Sequence, residues 1–188
     1  MNLGQSMFAA AALSLMGYVA LNSNRGITNV HDNINVAESG ITAVSLATSI
    51  IEEATGKMFD AKIEDATTGA LTNTNQLTSP NALGPGATEK YRGGACDFND
   101  FDDFNNLFLV FKSTNSLDTA RTPGSHWETI VPGIRAKYYV KCKVEYVRPD
   151  SLNRASLYTT WHKKITVTVI NPALRDTLAI PAVMSFWN

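Results

Sequence analysis

The N-terminal stretch from Met1 to about Thr55 constrains this chain more than any other feature. The segment from Met7 to Leu21 is apolar and carries no charged residue, and no proline occurs before Pro80. Read as one helix, the stretch would contain roughly 50 residues and be about 80 Å long at ~1.5 Å rise per residue. Because an average globular helix has about 11–12 residues, a small domain cannot bury a helix of this length. Such a helix needs a membrane, partner helices or both.

The second half of this stretch has the periodicity of an amphipathic helix. Apolar residues recur at steps of three and four, and Thr48 occupies the one position of this repeat that is not apolar. This spacing is typical of a helix packed along a partner. Leu46 and Ile50 widen the apolar side where we expect the helix to begin packing on a globular domain. Gly56 followed by Lys57 predicts the end of the helix. The apolar stripe consists of Ile27, Val30, Ile34, Ala37, Ile41, Val44 and Ile51.

Three interpretations of the apolar run are open: a cleaved signal peptide, a membrane anchor and a buried helix. No Lys or Arg precedes Met7, so the basic region of a secretory signal is missing. From Met7 to Leu21 the run has about 15 residues, fewer than the ~20 needed to span hydrocarbon. We therefore interpret the run as a retained segment that is short for a lone anchor.

Composition and charge exclude some classes of function. The chain has 188 residues, which suits one domain plus an appendage, and 16 basic against 17 acidic residues give a net charge of -1. A nucleic-acid surface would need a basic excess. Charged residues make up 18% of the chain. Soluble domains have about 25%, and here Thr, Asn, Ser and Ala fill the difference, as is common on surfaces outside the cell.

The second half of the chain has the alternation of a β-sheet. Residues 61–95 are rich in Thr, Asn and Gly and predict a long surface loop. Arg148–Asn153 is interpreted as a turn. Because proline cannot donate to a strand ladder, Pro181 predicts that the last strand lies at an edge or is bulged there. The predicted strands are Leu107–Lys112, Trp127–Val131, Tyr138–Val147, Leu157–Ile170 and Thr177–Trp187.

These patterns predict the α+β class. Long alternating strands with short turns imply an antiparallel sheet with one buried face. The C-terminal half of the long helix is the only helix available to cover that face. We therefore expect a helical stalk at residues 1–56 and a globular β-sheet head at residues 57–188, with a long loop at about 61–106.

The chain resembles the type IV pilin superfamily, most closely bacterial and haemagglutinin-type pilins. The shared organisation is an apolar N-terminal helix of about 50 residues, a loop, an antiparallel sheet and a cysteine pair. Locally, Ala47–Ala54 with Lys57–Asp60 is similar to the helix end of several such pilins, and Asp100–Asn105 is similar to an acidic motif of some haemagglutinin-type pilins. The family implies subunits that pack their N-terminal helices into a filament core, with globular heads outside.

One position departs from the family pattern. Pilins usually carry Glu at the fifth mature position, after a basic leader that ends in Gly. With Met1 as the mature N-terminus the fifth residue is Gln5, whereas a leader ending at Gly4 would make it Ala9. An uncharged amide can hydrogen-bond a neighbour's terminal amine but cannot neutralise it, so Gln5 lacks the stronger charge-assisted contact.

The resemblance implies a structural subunit that polymerises through its N-terminal helix into an extracellular filament at the cell surface. Its partners would be copies of itself, and the pilus assembly machinery and inner membrane before assembly, when residues 1–24 would anchor it. The alternatives are a minor pilin or pseudopilin of a secretion system, and a membrane-anchored extracellular binding domain that does not polymerise. Gly17 is where we expect any local unwinding on assembly, because Gly leaves helical geometry at least cost. The predicted assembly residues are Met1, Gln5, Met7, Phe8, Leu13, Leu15, Met16, Gly17, Tyr18, Val19, Leu21, Ile27, Val30 and Ile34.

The two cysteines, Cys96 and Cys142, are far apart and do not have a metal-ligand spacing. In an exported protein an oxidising compartment favours one disulfide between them. The alternative is two buried free thiols.

An acidic cluster is the one candidate for a metal site. Several carboxylates could bind Ca²⁺, which takes oxygen ligands, but the Gly and Glu of an EF-hand loop are missing. We favour a turn whose Asp side chains cap backbone amides, and so predict no cofactor. The histidines do not cluster, and no nucleophile elbow, phosphate loop or zinc-protease motif occurs, so we predict no enzyme activity. The cluster consists of Asp97, Asp100, Asp102 and Asp103.

Overall fold

The structure is a computed structural model that describes residues 3–64, 72–92, 97–112, 127–130, 137–172, 174 and 177–187. At residues 64 and 127–130 it describes the backbone alone. The chain divides into two compact units, Met1–Gly40 and Ile41–Asn188. Helix α1 (Leu3–Thr55) makes up the described part of the first unit, and its residues 41–55 belong to the second. The predicted division between stalk and head at residue 56 stays a prediction.

Helix α1 ends where the sequence predicts. The backbone N–H of Gly56 donates to the carbonyl oxygen of Glu52 at 3.0 Å, and that of Lys57 donates to Ala54 at 3.2 Å. These bonds use carbonyl groups of the last turn that have no partner inside the helix. A Cβ at position 56 would lie 3.3 Å from the Glu52 oxygen, so a residue without one fits best.

Short helical elements occupy part of the region predicted as a loop. Helix α2 (Ala61–Glu64) follows α1 closely, and two 3-10 turns lie at Thr74–Gln76 and Pro80–Ala82. A third 3-10 turn, Asp102–Phe104, lies inside the acidic motif. The loop at about 61–106 otherwise stays a prediction, because parts of it fall outside the described residues.

The sheet of the second unit has the strand order β2–β1–β3–β5–β6, with β4 paired to β3. All described neighbours are antiparallel except β1 and β2. The predicted α+β class, a long N-terminal helix with an antiparallel sheet, is therefore confirmed, and β6 is the predicted edge strand. The strands are β1 (Phe108–Lys112), β2 (Trp127–Ile130), β3 (Tyr138–Arg148), β4 (Ser151–Ala155), β5 (His162–Ile170) and β6 (Leu178–Ser185).

Three details of the sheet differ from the prediction. Strand β2 runs parallel to β1, with Leu109 opposite Trp127. The sequence predicted antiparallel pairing throughout. Parallel neighbours are joined by a long connection, which leaves no turn signal in the sequence. The segment interpreted as a turn at 148–153 contains the start of β4, and the ladder shifts register between Val147 and Arg148. Strand β5 begins at His162 and not at the predicted Leu157. The residues before it form local hydrogen bonds instead of strand pairing, since the Ser156 hydroxyl donates to the carbonyl oxygen of Tyr158 at 2.8 Å.

The core of the second unit lies between the sheet and residues 43–54 of α1. The predicted alternation in β3 is confirmed, since every second side chain from Tyr138 to Tyr146 is buried. The helix presents three small alanine side chains and one isoleucine to this core, and alanine lets a helix backbone approach a sheet closely. The buried helix residues are Ala43, Ala47, Ile50 and Ala54.

The buried face of α1 is not the predicted apolar stripe. Residues 43, 47, 50 and 54 lie about a third of a turn around the helix from the stripe, because each residue turns the helix by about 100°. The stripe residue Ile41 is 72% exposed, and Val44 is 44% exposed. Ile50 is buried and Leu46 packs against the core, as expected, whereas the alanines were missed because alanine carries a weak hydrophobic signal. Residues 41–55 thus have two apolar sides, one buried in the sheet core and one exposed.

Candidate functional site

The N-terminal half of α1 exposes apolar side chains in every direction. No charged residue occurs from Leu3 to Asn24, and the first charge is Arg25. Since neighbouring residues point about 100° apart, large apolar side chains here surround the helix. Contiguous exposed apolar surface of this kind marks a site of contact with protein or membrane. The exposed predicted assembly residues in this part are Met7, Phe8, Leu13, Leu15, Met16, Tyr18, Val19 and Leu21.

Hydroxyl groups on this surface are satisfied within the helix. The Ser6 hydroxyl donates to the carbonyl oxygen of Leu3 at 2.8 Å, and the Ser14 hydroxyl donates to that of Ala10 at 2.9 Å. Neither serine hydroxyl therefore has an unsatisfied hydrogen-bond donor when the helix lies in lipid or against another apolar helix. Gln5 is exposed near the start of the helix, and Met1 lies outside the described residues.

Gly17 lies inside α1 with open space around it. A Cβ added there would meet no atom within 4 Å, so packing within this chain does not require glycine. A glycine costs a helix about 1 kcal/mol relative to alanine. The role of Gly17 as a point of unwinding on assembly stays a prediction.

Helix α1 is long and apolar enough to cross a membrane, by length and composition alone. The charge-free part from Leu3 to Asn24 would be about 33 Å long, against roughly 30 Å for a hydrocarbon core. The sequence interpretation considered only the run from Met7 to Leu21 and so judged the segment short. Uncharged residues at both ends of that run extend it in the helix.

Most of the predicted stripe is exposed in both units, and Ile51 at its end is partly buried against the sheet core. In the first unit Ile27, Val30 and Ile34 are each more than half exposed. In the second unit Ile41 and Val44 continue the same spacing and are also exposed. A repeating apolar stripe without a cover is the pattern of a helix that packs along a partner.

The acidic motif is buried rather than solvated. One Asp100 oxygen accepts the backbone N–H groups of Asp102 and Asp103 at 2.9 and 3.0 Å, and the other accepts that of Ala61 at 2.6 Å. Asp103 accepts the N–H groups of Asn99 and Asp100 at 2.9 and 3.1 Å. The capping of backbone amides was predicted, but the burial was not.

Asp97 lies apart from this arrangement. Its carboxylate accepts the backbone N–H groups of Arg92 and Phe98 at 2.6 and 2.9 Å and lies 3.9 Å from the Lys57 ammonium. Within the described part of the chain, no group of three or more His, Cys, Asp or Glu residues could hold a metal ion. The Ca²⁺ candidates instead have backbone and lysine partners.

Lys163 is a buried cation that the sequence interpretation missed. Its side chain is 0% exposed, and its Nζ donates to the carbonyl oxygen of Phe59 at 2.7 Å, to Asp60 at 2.9 Å and to Asp102 at 2.5 Å. These three acceptors use all three N–H donors of the ammonium. We call Lys163, Asp60, Asp100 and Asp102 the Lys163 cluster.

Two aromatic rings lie against the Lys163 cluster. The Lys163 Nζ lies 4.6 Å from the centre of the Phe59 ring and 5.4 Å from that of Tyr146. The Tyr146 hydroxyl donates to the carbonyl oxygen of Thr78 at 2.7 Å. Electrostatic interactions are stronger in such apolar surroundings than in water.

The cluster and its neighbour Asp103 contain more carboxyl groups than cations, and the pKa values reflect this. Burial, reinforced by the charge of Asp102, raises the pKa of Asp100 to about 7, and burial raises the pKa of Asp103 to about 7. Burial also raises the pKa of Asp102, against the attraction of Lys163. For Asp60, burial is outweighed by the charge and hydrogen bond of Lys163, which lower its pKa.

One sequence signal could have found Lys163. Strand residues two apart share a face, so Lys163 belongs to the face of Ile165 and Val167, which are both buried. A lysine at an apolar position indicates a buried acidic partner, since buried charges are paired. The acidic motif that supplies one of those partners, Asp102, was recognised, but its link to β5 was not.

The predicted disulfide falls partly outside the described residues. Cys142 is a buried thiol on the core side of β3, and burial raises its pKa to about 12. Cys96 lies outside the described part of the chain. The Cys96–Cys142 bridge therefore stays a prediction.

An open cleft of about 660 Å³ lies beside the start of β1. Its lining includes the aromatic side chains of Tyr91, Phe98 and Phe108 and the carboxylates of Glu89 and Asp103. Small-molecule sites are typically apolar clefts of about 300–1,000 Å³ with a few polar groups. The cleft is thus of a size that could hold a ligand.

Comparison of the chain with protein-family models, curated proteins and solved structures finds no match.

Proposed function

We propose that this protein is a structural subunit that polymerises through α1 into an extracellular, type IV pilus-like filament. The observation that supports this proposal is the exposed apolar surface of α1, charge-free from Leu3 to Asn24. Packing such helices together removes apolar surface from water, worth about 25 cal/mol per Å². Before assembly, the same segment would hold the subunit in a membrane.

The exposed stripe favours assembly over a lone anchor. A bilayer core of roughly 30 Å would cover about the first 20 helical residues. Ile27, Val30 and Ile34 follow Arg25 along the helix and are exposed. In a singly anchored molecule these side chains would face water, whereas neighbouring copies of α1 would cover them.

The second candidate is a membrane-anchored binding domain that does not polymerise. The cleft beside β1 favours it, since its volume and aromatic lining suit a small ligand. This candidate predicts single molecules in a bilayer. A minor pilin or pseudopilin would share the helix-packing surface, but it would be scarce in filaments sheared from the cell surface, where a major subunit dominates.

A charge placed on the apolar helix surface tests the proposal. We expect Met16→Glu to abolish filaments in producing cells, because a buried unpaired carboxylate costs several kcal/mol. Thr28→Glu is the matched control: it adds the same charge at an exposed polar position on the side of the helix away from the stripe and should leave filaments intact. Electron microscopy of sheared surface material measures both, and filaments of normal length from Met16→Glu would contradict the proposal.

Removal of the apolar segment gives a second test. A chain lacking residues 1–24 should be soluble and monomeric by sedimentation, because the charge-free apolar part of the proposed assembly surface is gone. Circular dichroism checks that its sheet remains folded. Filaments formed by this truncated chain would refute assembly through α1.

A further inference from the structure

The Lys163 cluster places an amine against a carboxyl group where solvent does not reach. The Nζ of Lys163 lies 2.5 Å from Oδ1 of Asp102, and both side chains are almost fully buried. The two residues are 61 positions apart, so the fold rather than the local sequence brings them together. The proposed filament function does not use this cluster, and the inference stands independently of it.

We propose that Lys163 and Asp102 condense spontaneously in the folded protein to form an intramolecular amide between Nζ and Cγ. The contact holds the reacting atoms close and in a fixed orientation, which replaces a bimolecular collision by an intramolecular step. The rings of Phe59 and Tyr146 keep the surroundings apolar. Apolar surroundings favour the neutral amine and acid over the ion pair.

The step balances without an oxidant or an external reactant. One proton passes from the Lys163 ammonium to the Asp102 carboxylate, which leaves a neutral amine and a neutral carboxylic acid. The amine lone pair adds to Cγ of Asp102, and the C–O bond to one carboxyl oxygen then breaks. That oxygen leaves as water with two protons from the original ammonium, and one N–H remains on the amide.

Two neighbouring carboxyl groups are placed to move the protons. The Asp100 carboxyl hydrogen-bonds the side chain of Asp102, so in its protonated form it can stabilise the negative oxygen of the tetrahedral intermediate. Burial raises the pKa of Asp100 to about 7, which keeps a large share of it protonated at neutral pH. Asp60 lies 2.9 Å from Nζ and can accept the proton that the nitrogen loses after attack.

Asp102 rather than Asp60 is the carboxyl that reacts. Asp60 also accepts hydrogen bonds from the backbone N–H groups of Lys62 and Thr78 at 3.1 and 2.9 Å and from the Thr78 hydroxyl at 2.9 Å. Those bonds favour the charged form of Asp60, which does not react with an amine. The Asp102 carboxyl interacts with Lys163 and Asp100, and burial and the nearby charge of Asp60 raise its pKa, which favours its neutral, reactive form.

Intact-mass spectrometry of the full-length protein under denaturing conditions tests the proposal. We expect the mass to be lower than the sequence mass by one water molecule, and a tryptic map to contain a branched peptide joining Lys163 to Asp102. Lys163→Arg keeps the cation but cannot condense, so it should restore the full mass. Lys164→Arg is the matched control, because Lys164 pairs with Glu145 and should leave the water loss unchanged.

Two further outcomes are decisive. An aspartyl succinimide also loses water, but it would persist in Lys163→Arg, and that result would overturn the proposal. A folded wild-type protein with the full sequence mass after prolonged incubation at neutral pH would show an ion pair only and would also overturn it. The wild-type peptide map decides the question even if Lys163→Arg does not fold. Asp100→Asn should slow condensation, seen as a larger uncondensed fraction at early times.

Discussion

At the scale of single residues, the interior of the second unit depends most on Lys163. A buried ammonium is costly to desolvate, and the structure offsets this cost with two carboxylates and a carbonyl oxygen. Those acceptors lie in the segment after α1 and in the acidic motif. The Lys163 side chain therefore connects β5 to both of these segments through hydrogen bonds. Loss of Lys163 would leave Asp60 and Asp102 buried without a cation.

Lys163→Met should therefore destabilise the protein strongly. Before condensation Lys163 is part of a buried ion pair, and removing one partner of such a pair typically costs about 3–5 kcal/mol. The substitution also removes the proposed amide cross-link, which adds to the loss of stability. Urea unfolding followed by circular dichroism measures the change. Lys143→Met is the control, since Lys143 is 65% exposed and its ion pair with Glu145 should contribute no more than about 1 kcal/mol. Equal effects of the two substitutions would contradict the role given to Lys163.

The raised pKa values predict that stability falls as the pH rises from about 5 to 8. Asp100 and Asp103 have folded-state pKa values of about 7, above those of unfolded carboxyls, so the folded state binds more protons in this window. Stability then decreases by up to about 1.4 kcal/mol per pH unit for each extra proton bound. Below this window the sign reverses, because the lowered pKa of Asp60 means that its stabilising charge is lost on acidification.

Urea unfolding at a series of pH values measures this dependence. Asp100→Asn should lower stability at all pH values, because its amide N–H₂ group would face a backbone N–H, and should also flatten the slope between pH 5 and 8. Asp150→Asn, at an exposed turn, should leave the slope unchanged. A wild-type slope of zero or of opposite sign would contradict the protonation of the acidic motif.

At the scale of elements, α1 has a buried face and an exposed apolar face, and we propose a different role for each. Ala43 and Ala47 lie in the core of the second unit, while Ile41 and Val44 are exposed. A substitution on one face should therefore affect folding, and a substitution on the other should affect assembly. The two effects are separable at these positions because Ala43 and Ala47 are buried and Ile41 and Val44 are exposed, whereas Ile51 at the end of the stripe packs against the core.

Ala47→Leu and Ile41→Ser form a matched pair that separates these effects. Overpacking the buried face with Ala47→Leu should destabilise the fold by about 1–3 kcal/mol. Ile41→Ser should leave the unfolding midpoint nearly unchanged but should reduce filament yield, because it removes apolar surface from the stripe. Thermal unfolding and filament yield measure the two outcomes. A large loss of stability in Ile41→Ser would show that the face of α1 that carries Ile41 is buried within the subunit, and would contradict the exposed face described above.

The sequence predicts elements with strong periodicity and misses features that depend on tertiary contacts. The long helix, the alternation of β3 and the edge position of β6 follow from local patterns, and all are confirmed. The alanine face of α1 and the parallel pairing of β2 were missed, since neither has a distinctive local pattern. Lys163 was missed because its meaning depends on Asp60 and Asp102, which are remote in the sequence.

At the scale of the whole molecule, the two units have different chemistry. The first, Met1–Gly40, exposes apolar side chains on a helix, whereas the second, Ile41–Asn188, has its own sheet core and a buried charge cluster. A unit with no core of its own gains stability from contact with lipid or with other copies. The second unit has the internal contacts expected of a domain that keeps its fold in either setting.

Electron cryo-microscopy of surface material from cells that produce the full-length chain tests whether α1 assembles the protein. We expect helical filaments in which the α1 helices, including residues 3–24, form the core and the second units form the outer surface. Single molecules held in membrane vesicles, without filaments under conditions of high expression, would contradict it.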